Sequence, residues 1–244
     1  MTAIKGSMLK GIFLMVIPLY LLIGGPSAQA GDRLFLTGAE GGNGTDSLNY
    51  YTFAAVIAPL PNNNLGDGFV QKYWGDFIGY DYVADNDTIK ATAPAIEGAL
   101  GYQRSGSKWW SSAYAGIRYS NTRLSPDNPD SSTRGSQIRI KLQIEGERTL
   151  VSRWKINAIG SYILTSNSYY VRWRGSYRLY NEVFTGPEAI VLGDPDYRIW
   201  QWGWVVAGFE PAPKWTAGIK TGIKKIVKGQ TGGYIGVEFT RLIQ

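Results

Sequence analysis

The sequence predicts an all-β protein, an antiparallel up-and-down outer-membrane β-barrel of about twelve strands, and three observations favour this fold class. The first is the segment 137–145, QIRIKLQIE, in which four aliphatic side chains alternate with five polar ones. A period of two places the two kinds of side chain on opposite faces of a β-strand, whereas a helix would spread both around its circumference. The second is an N-terminus typical of exported proteins, and the third is a series of short segments separated by turn residues.

The N-terminus has the layout of a secretory signal peptide. Lys5 and Lys10 precede an apolar run over residues 11–23, and a small-x-small sequence follows at residues 28–30. We therefore expect cleavage after residue 30, which leaves residues 31–244 as one β-barrel domain. A retained membrane anchor is the alternative, but the apolar run is shorter than the roughly 20 residues that a spanning helix needs.

The composition excludes several classes of site. The chain has 244 residues, among them no cysteine and no histidine. Disulfide scaffolds, thiolate or imidazole metal sites and catalysis by Cys or His are therefore excluded, and we expect neither a metal nor a cofactor. The formal net charge of +6 falls by two, to +4, without Lys5 and Lys10. No basic cluster or tail is present, so nucleic acid is not an expected partner.

Segments of about ten residues rich in Tyr, Trp, Val, Ile and Thr fill the rest of the chain, and Gly, Pro, Asn, Asp and Ser separate them. The first, fourth and ninth are the least regular, and the last two of these contain Pro94 and Pro187, which lack a backbone donor. Ten strands is the alternative count. The predicted strands lie near residues 32–39, 49–58, 69–81, 89–103, 109–120, 136–146, 153–164, 168–179, 183–192, 197–209, 215–224 and 233–242.

Five of these strands alternate without interruption and separate the charges onto one face. Their apolar faces hold 29 positions without a charge, where the charged fraction of 18% would predict about five. The opposite faces, with two neighbouring strands, supply the charged residues that we expect to line the lumen. These are Arg118, Arg139, Lys141, Glu145, Lys155, Arg172, Arg174, Arg178, Lys220, Lys224, Glu97 and Glu238.

The direction of the apolar face separates two architectures. A soluble sandwich or lipocalin-like barrel buries it, whereas an outer-membrane barrel turns it towards lipid. Small and bulky side chains mix on this face, Trp and Tyr gather near strand ends, and Trp200, Trp202 and Trp204 share one face of a strand. These features favour the membrane barrel. With both termini in the periplasm, the longer connections are expected at the opposite end, at 41–48, 83–88, 121–134, 165–168, 193–196 and 226–232.

The polar face allows a structural and a functional interpretation. Carboxylates and cations could pair across strands and hold the barrel closed, at about 0.2–1 kcal/mol per pair where water reaches them. Alternatively, an electropositive lumen could attract anions or bind sugar hydroxyls, with Tyr114 and Tyr170 as stacking faces for pyranose rings. A carboxylate pair of the glycosidase kind is conceivable, but no spacing selects two residues, so we expect no enzyme. The candidates for such a pair are Asp76, Glu97, Glu145 and Glu238.

Several short motifs resemble, in this order, the cellulose-biosynthesis BcsS family of bacterial exported proteins. They lie at residues 97–103, 109–119, 124–130, 134–136, 143–147, 157–162, 186–188 and 191–193. The resemblance implies an outer-membrane barrel associated with cellulose production. Its partners would be outer-membrane lipid and cellulose, another glucan or components of the cellulose synthase complex. The chain departs from such barrels at its end, where Gln244 replaces the usual terminal aromatic residue and Phe239 is the nearest one.

These observations predict a non-enzymatic outer-membrane accessory protein in cellulose biosynthesis, assembly or surface anchoring. A small pore for anions or oligosaccharides is the first alternative. A surface enzyme that modifies lipid or glycan is the second.

Overall fold

The computed structural model describes residues 32–43, 48–84, 87–151, 153–195, 197–227 and 229–244. The predicted signal peptide, residues 1–30, lies outside them. The strands found in this part of the chain are β1 (Arg33–Asn43), β2 (Leu48–Pro59), β3 (Gly68–Ala84), β4 (Asp87–Gly106), β5 (Trp109–Ser125), β6 (Gly135–Val151), β7 (Trp154–Ile163), β8 (Ser168–Tyr180), β9 (Val183–Gly193), β10 (Arg198–Ala212), β11 (Trp215–Ile226) and β12 (Thr231–Ile243).

The twelve strands form a closed antiparallel barrel. Each strand pairs with its neighbours in sequence, and β1 pairs with β12 to close the sheet. The predicted up-and-down barrel is therefore confirmed, and twelve rather than ten is the strand count in the described residues. In the same residues, no helix is long and apolar enough to cross a membrane.

The two irregular strands with proline are part of the sheet because each proline lies beside a gap in one ladder. Pro94 of β4 pairs with Phe77, but the β4–β5 ladder is interrupted between Thr92 and Ala95. Pro187 of β9 pairs with Trp204, and the β8–β9 ladder is interrupted there. The missing N–H of each proline therefore leaves no partner unsatisfied.

The aliphatic side chains of the alternating strands point away from the lumen. On β6, Ile138 is 74% exposed and Ile144 is 66% exposed. The three tryptophans of β10, Trp200, Trp202 and Trp204, are likewise exposed on the outer surface. An apolar belt outside and a polar interior are the arrangement of an outer-membrane barrel and the reverse of a soluble one.

The two ends of the barrel differ in height. We call the end that holds residues 32 and 244 the terminal rim and the opposite end the distal rim. Strands β3 to β6 have 17 to 20 residues, more than the roughly 9–11 that span a bilayer. They rise at the distal rim, so the predicted loop 121–134 is shortened to 126–134, and β3 and β4 extend into the predicted loop 83–88. At the terminal rim, the link between β2 and β3, residues 60–67, is longer than the other links between the described strands at this rim.

Candidate functional site in the barrel lumen

A first ion-pair network joins β3, β4, β5 and β6 inside the barrel. Glu97 binds Lys72 at 2.8 Å and Lys141 at 2.7 Å, and both Glu97 and Lys72 are only 2% exposed. Arg118 donates two hydrogen bonds to the carboxylate of Asp76, at 2.6 and 2.8 Å. Three cations thus meet two carboxylates, and every one of these charged groups has an opposite charge within hydrogen-bonding distance.

A second network joins β8, β9, β11, β12 and β1. Arg174 makes an ion pair with Glu188 and a bidentate pair with Glu238, with N–O distances of 2.8 and 2.9 Å. Lys220 binds Glu40 at 2.8 Å and lies 3.5 Å from Glu238. Arg172 also lies 3.5 Å from Glu238. Three cations balance three carboxylates, so this network carries no net formal charge.

Other predicted lumen residues lie outside the two networks. Glu145 accepts hydrogen bonds from Ser112 at 3.0 Å and from Gln143 at 3.3 Å. Arg139 donates to the carbonyl oxygen of Ser132, near the distal rim, at 2.6 Å. Lys224 is 3% exposed on the inner face of β11.

Near the terminal rim, two predicted cations share one aromatic ring. The ammonium of Lys155 lies 3.9 Å from the ring centre of Phe184, and the guanidinium of Arg178 lies 5.2 Å from it. Lys155 also makes a quarter-exposed ion pair with Glu147 at 3.3 Å. These contacts place both cations away from the centre of the lumen.

The two tyrosines predicted as stacking faces have different environments. Tyr114 is 4% exposed, its hydroxyl accepts a hydrogen bond from Gln103 at 2.9 Å, and the Lys72 ammonium lies 4.7 Å from its ring centre. The ring of Tyr114 is therefore packed by protein. Tyr170 lines the central cavity of the lumen.

Sequence reasoning missed two inner carboxylates, Glu40 and Glu188. Each lies on a strand whose inner face is otherwise apolar or small, such as β9 with Gly186 and Ile190 beside Glu188. The pattern therefore contains no clean alternation to mark the face. The available signal was a single acidic residue in each strand: Glu188 is the one charged residue of β9, and β1 has only Arg33 beside Glu40.

Side chains from distant strands meet across the lumen. The rings of Tyr80 on β3 and Tyr197, just before β10, lie 4.6 Å apart. The side chain of Asn49 on β2 donates to the Tyr197 hydroxyl at 3.0 Å. Lower in the barrel, Lys72 of β3 donates to Gln143 of β6 at 2.8 Å. Because such pairs connect strands that are not neighbours, the lumen is bridged at more than one level.

The link 60–67 folds into the barrel at the terminal rim. Leu65 packs on a buried inner cluster that includes Ile57, Val70 and Tyr114. The backbone N–H of Gly66 donates to the side-chain oxygen of Gln103 at 2.8 Å. This link and the cluster therefore occupy the part of the lumen beside β1 to β5 at the terminal rim.

A cavity of about 530 Å³ lies in the lumen. Its walls include Trp74, Tyr51 and Tyr170, together with charged groups of both networks. Thr133 and Asp194, from connections at the distal rim, also line it. The cavity is therefore a vestibule that reaches the distal rim, and its volume is within the roughly 300–1,000 Å³ typical of ligand pockets.

The connection 126–134 stands beside the mouth of the vestibule. Arg134 donates to both carboxylate oxygens of Asp127, at 2.7 and 2.6 Å, and these bonds hold the pKa of Asp127 below its ordinary value. The side chain of Asn128 donates to the hydroxyl of Tyr82 on β3 at 3.1 Å. No group of three or more His, Cys, Asp or Glu side chains able to hold a metal ion occurs in the described residues.

Solved structures with a similar fold are barrels of the outer-membrane type. A mutant of the TodX monoaromatic hydrocarbon channel is 7% identical, with a TM-score of 0.54, over 91% of this chain and 93% of that chain. The transport unit of the autotransporter AIDA-I from Escherichia coli is 8% identical, with a TM-score of 0.51, over 97% of each chain. The KdgM porin is 10% identical, with a TM-score of 0.48, over 84% of this chain and 97% of that chain. At such identities the likeness concerns the fold alone.

No curated protein matches the chain. The family model described as "Cellulose biosynthesis protein BcsS" matches residues 40–243, which include nearly the whole barrel. The chain belongs to this cellulose biosynthesis family, as its motifs predict.

Proposed function

We propose that the protein is a non-enzymatic accessory of cellulose biosynthesis in the bacterial outer membrane, where it helps to assemble or anchor the polymer. The family match over residues 40–243 carries the assignment to cellulose biosynthesis. The exposed apolar belt supports a place in lipid, because such a surface is stable only where hydrocarbon covers it. Export by a cleaved signal peptide, residues 1–30, is part of the same proposal.

The engagement of the inner carboxylates supports a role without catalysis. Glu97 is held by two lysines, Asp76 by Arg118, and Glu238 by Arg174. A glycosidase needs one carboxylic acid that can give up a proton and a second that faces the sugar. A carboxylate that is held in an ion pair fills neither role. The pairing of these carboxylates instead indicates that they stabilise the barrel wall.

The vestibule is the one observation that favours the second candidate, a small pore for anions or oligosaccharides. A pore also needs an exit at the terminal rim. There Leu65 packs on the inner cluster, and the buried pair of Lys72 and Glu97 lies close by. We therefore infer a vestibule with a closed base, whose charged residues stabilise the wall and face an incoming ligand.

Deletion and complementation test the proposed function. Removing the gene from the bacterium that carries it is expected to lower the amount of cellulose or its attachment to the cell surface. A plasmid copy of the wild-type gene, or of Glu145→Gln, is expected to restore it, since Glu145 is a vestibule carboxylate outside the ion pairs. Unchanged cellulose in the deletion strain would contradict the accessory role. Turnover of glucan or lipid by the purified protein, lost in Glu145→Gln, would instead favour an enzyme.

A further inference from the structure

Two buried side chains on the vestibule wall have hydrogen-bonding capacity that the described residues do not use. Gln201 of β10 is 2% exposed, and its amide nitrogen donates to Glu40 at 2.6 Å. Its amide oxygen is buried and accepts no hydrogen bond from any residue that the structure describes. A buried acceptor without a partner is uncommon in folded proteins and calls for a physical explanation.

Lys224 of β11 supplies the complementary group. It is the direct cross-strand partner of Gln201, and both side chains line the vestibule. Lys224 is 3% exposed, and among the described residues no carboxylate lies within 4.0 Å of its ammonium. Within the described part of the chain, a cation without a paired carboxylate thus lies beside an acceptor without a donor.

The surrounding charges favour an uncharged ligand over an anion. Glu40 and Asp81 act electrostatically on Lys224, and Glu40 also holds Lys220 at 2.8 Å. An anion bound to Lys224 would therefore be repelled by these carboxylates and by the carbonyl oxygen of Gln201. A hydroxyl group accepts one hydrogen bond and donates another, so it can satisfy Lys224 and Gln201 at once.

We propose that Gln201 and Lys224 form a subsite that binds the hydroxyl groups of an uncharged oligosaccharide entering from the distal rim. Tyr51 and Tyr170 line the same vestibule and offer aromatic surface to the apolar face of a sugar ring. This subsite rests on the proposed function, because a glucan chain is the uncharged, hydroxyl-rich polymer that cellulose biosynthesis supplies. The vestibule volume of about 530 Å³ admits a short segment of such a chain.

Binding of soluble tetrasaccharides to the purified full barrel in detergent tests the subsite. Isothermal titration with cellotetraose, a β-linked glucan, is expected to show saturable binding, and tetragalacturonate, its charged counterpart, to bind at least about tenfold more weakly. Lys224→Met and Gln201→Met are each expected to weaken cellotetraose binding at least about tenfold. Tighter binding of tetragalacturonate, or no binding of either sugar, would overturn the proposal.

Lys225→Met is the matched control, because Lys225 is the next residue of β11 and is exposed on the outer face. It is expected to bind cellotetraose as the wild type does, and equal weakening in this control would refute the subsite. The faster migration of unheated barrel on SDS gels reports folding of each variant. Methionine has a volume close to that of lysine, so Lys224→Met is expected to keep the fold. Gln201→Met tests the same subsite independently.

The subsite and the proposed function can fail separately. If deletion lowers cellulose but both subsite variants restore it and cellotetraose does not bind, the subsite is wrong and the accessory role stands. If cellotetraose binds with the expected variant pattern but deletion leaves cellulose unchanged, the accessory role is wrong and the subsite stands.

Discussion

Replacing Glu97 with glutamine tests whether the first ion-pair network stabilises the barrel. Glu97 accepts from two lysines at 2.8 and 2.7 Å, and it is 2% exposed. Removing one partner of a buried ion pair typically costs about 3–5 kcal/mol because the other charge is left buried and unpaired. Lys72 keeps its hydrogen bond to Gln143 and its contact with the ring of Tyr114. We therefore expect a loss of about 3 kcal/mol, the lower end of this range.

The assay is equilibrium unfolding in urea, with the barrel in detergent micelles and tryptophan fluorescence as the signal. Glu147→Gln is the matched control, because its pair with Lys155 is a quarter exposed and worth about 0–1 kcal/mol. Adding Lys141→Met to Glu97→Gln removes the cation that loses its carboxylate, so the double variant should recover at least about 1 kcal/mol. A loss in Glu97→Gln no larger than in Glu147→Gln would refute the stabilising role of the network.

Three further predictions concern the belt, the distal rim and the terminal rim. Ile144→Arg, near the middle of the lipid-facing side of β6, is expected to cost about 2–4 kcal/mol of unfolding free energy in lipid vesicles. Ser136→Arg, near the distal end of β6, is expected to cost about 0–1 kcal/mol. Equal costs would contradict the apolar belt. Because Arg134 lowers the pKa of Asp127, the stabilisation of this pair is present above the ordinary carboxyl pKa and is lost as the pH falls through the lowered one. An NMR titration of Asp127 should therefore show its inflection rise in Arg134→Gln, and an unchanged inflection would exclude the pair. Leu65→Asp should release the link 60–67 and increase its proteolytic cleavage in the folded barrel, whereas cleavage equal to wild type would show that Leu65 does not hold it.

The strands that face lipid on one side and the polar lumen on the other could be predicted from the sequence, because the two environments select different side chains. Charges are costly in hydrocarbon and cheap in a polar lumen, so alternation along β6 reports which side each residue faces. Ile138 and Ile144 are exposed on the outer surface, while Lys141 makes a lumen ion pair with Glu97. The bounds of such strands agree within a few residues, except where β5 continues to Ser125 and β6 to Val151.

Strands whose inner face is also apolar gave a weaker signal. On β4 the inner residues Ala91, Ala93, Ala95 and Ala99 are small, apolar and buried, so the sequence of this strand shows two apolar faces. The composition was enough to recognise the strand, but it did not show which face points into the lumen. The same property of β9 concealed Glu188.

The contacts across the lumen could not be predicted from the sequence. Arg174 meets Glu188 on the neighbouring strand and Glu238 four strands away along the chain, and no local pattern relates these residues. The packing of Leu65 into the barrel depends in the same way on the closed sheet around it. Alternation places Tyr114 inside, yet the burial of its ring by Lys72 is decided by tertiary packing.

The most direct test of the account is the conductance of the purified barrel in a planar lipid bilayer. A lumen bridged by ion pairs and occupied at the terminal rim by the link 60–67 predicts insertion without stepwise, ohmic current at moderate voltage. Insertion is checked independently by protease protection of the barrel in vesicles. Steady unitary currents from the wild-type protein, with a preference for anions that falls in an Arg172 and Arg174 double replacement by glutamine, would contradict the closed vestibule and favour a pore.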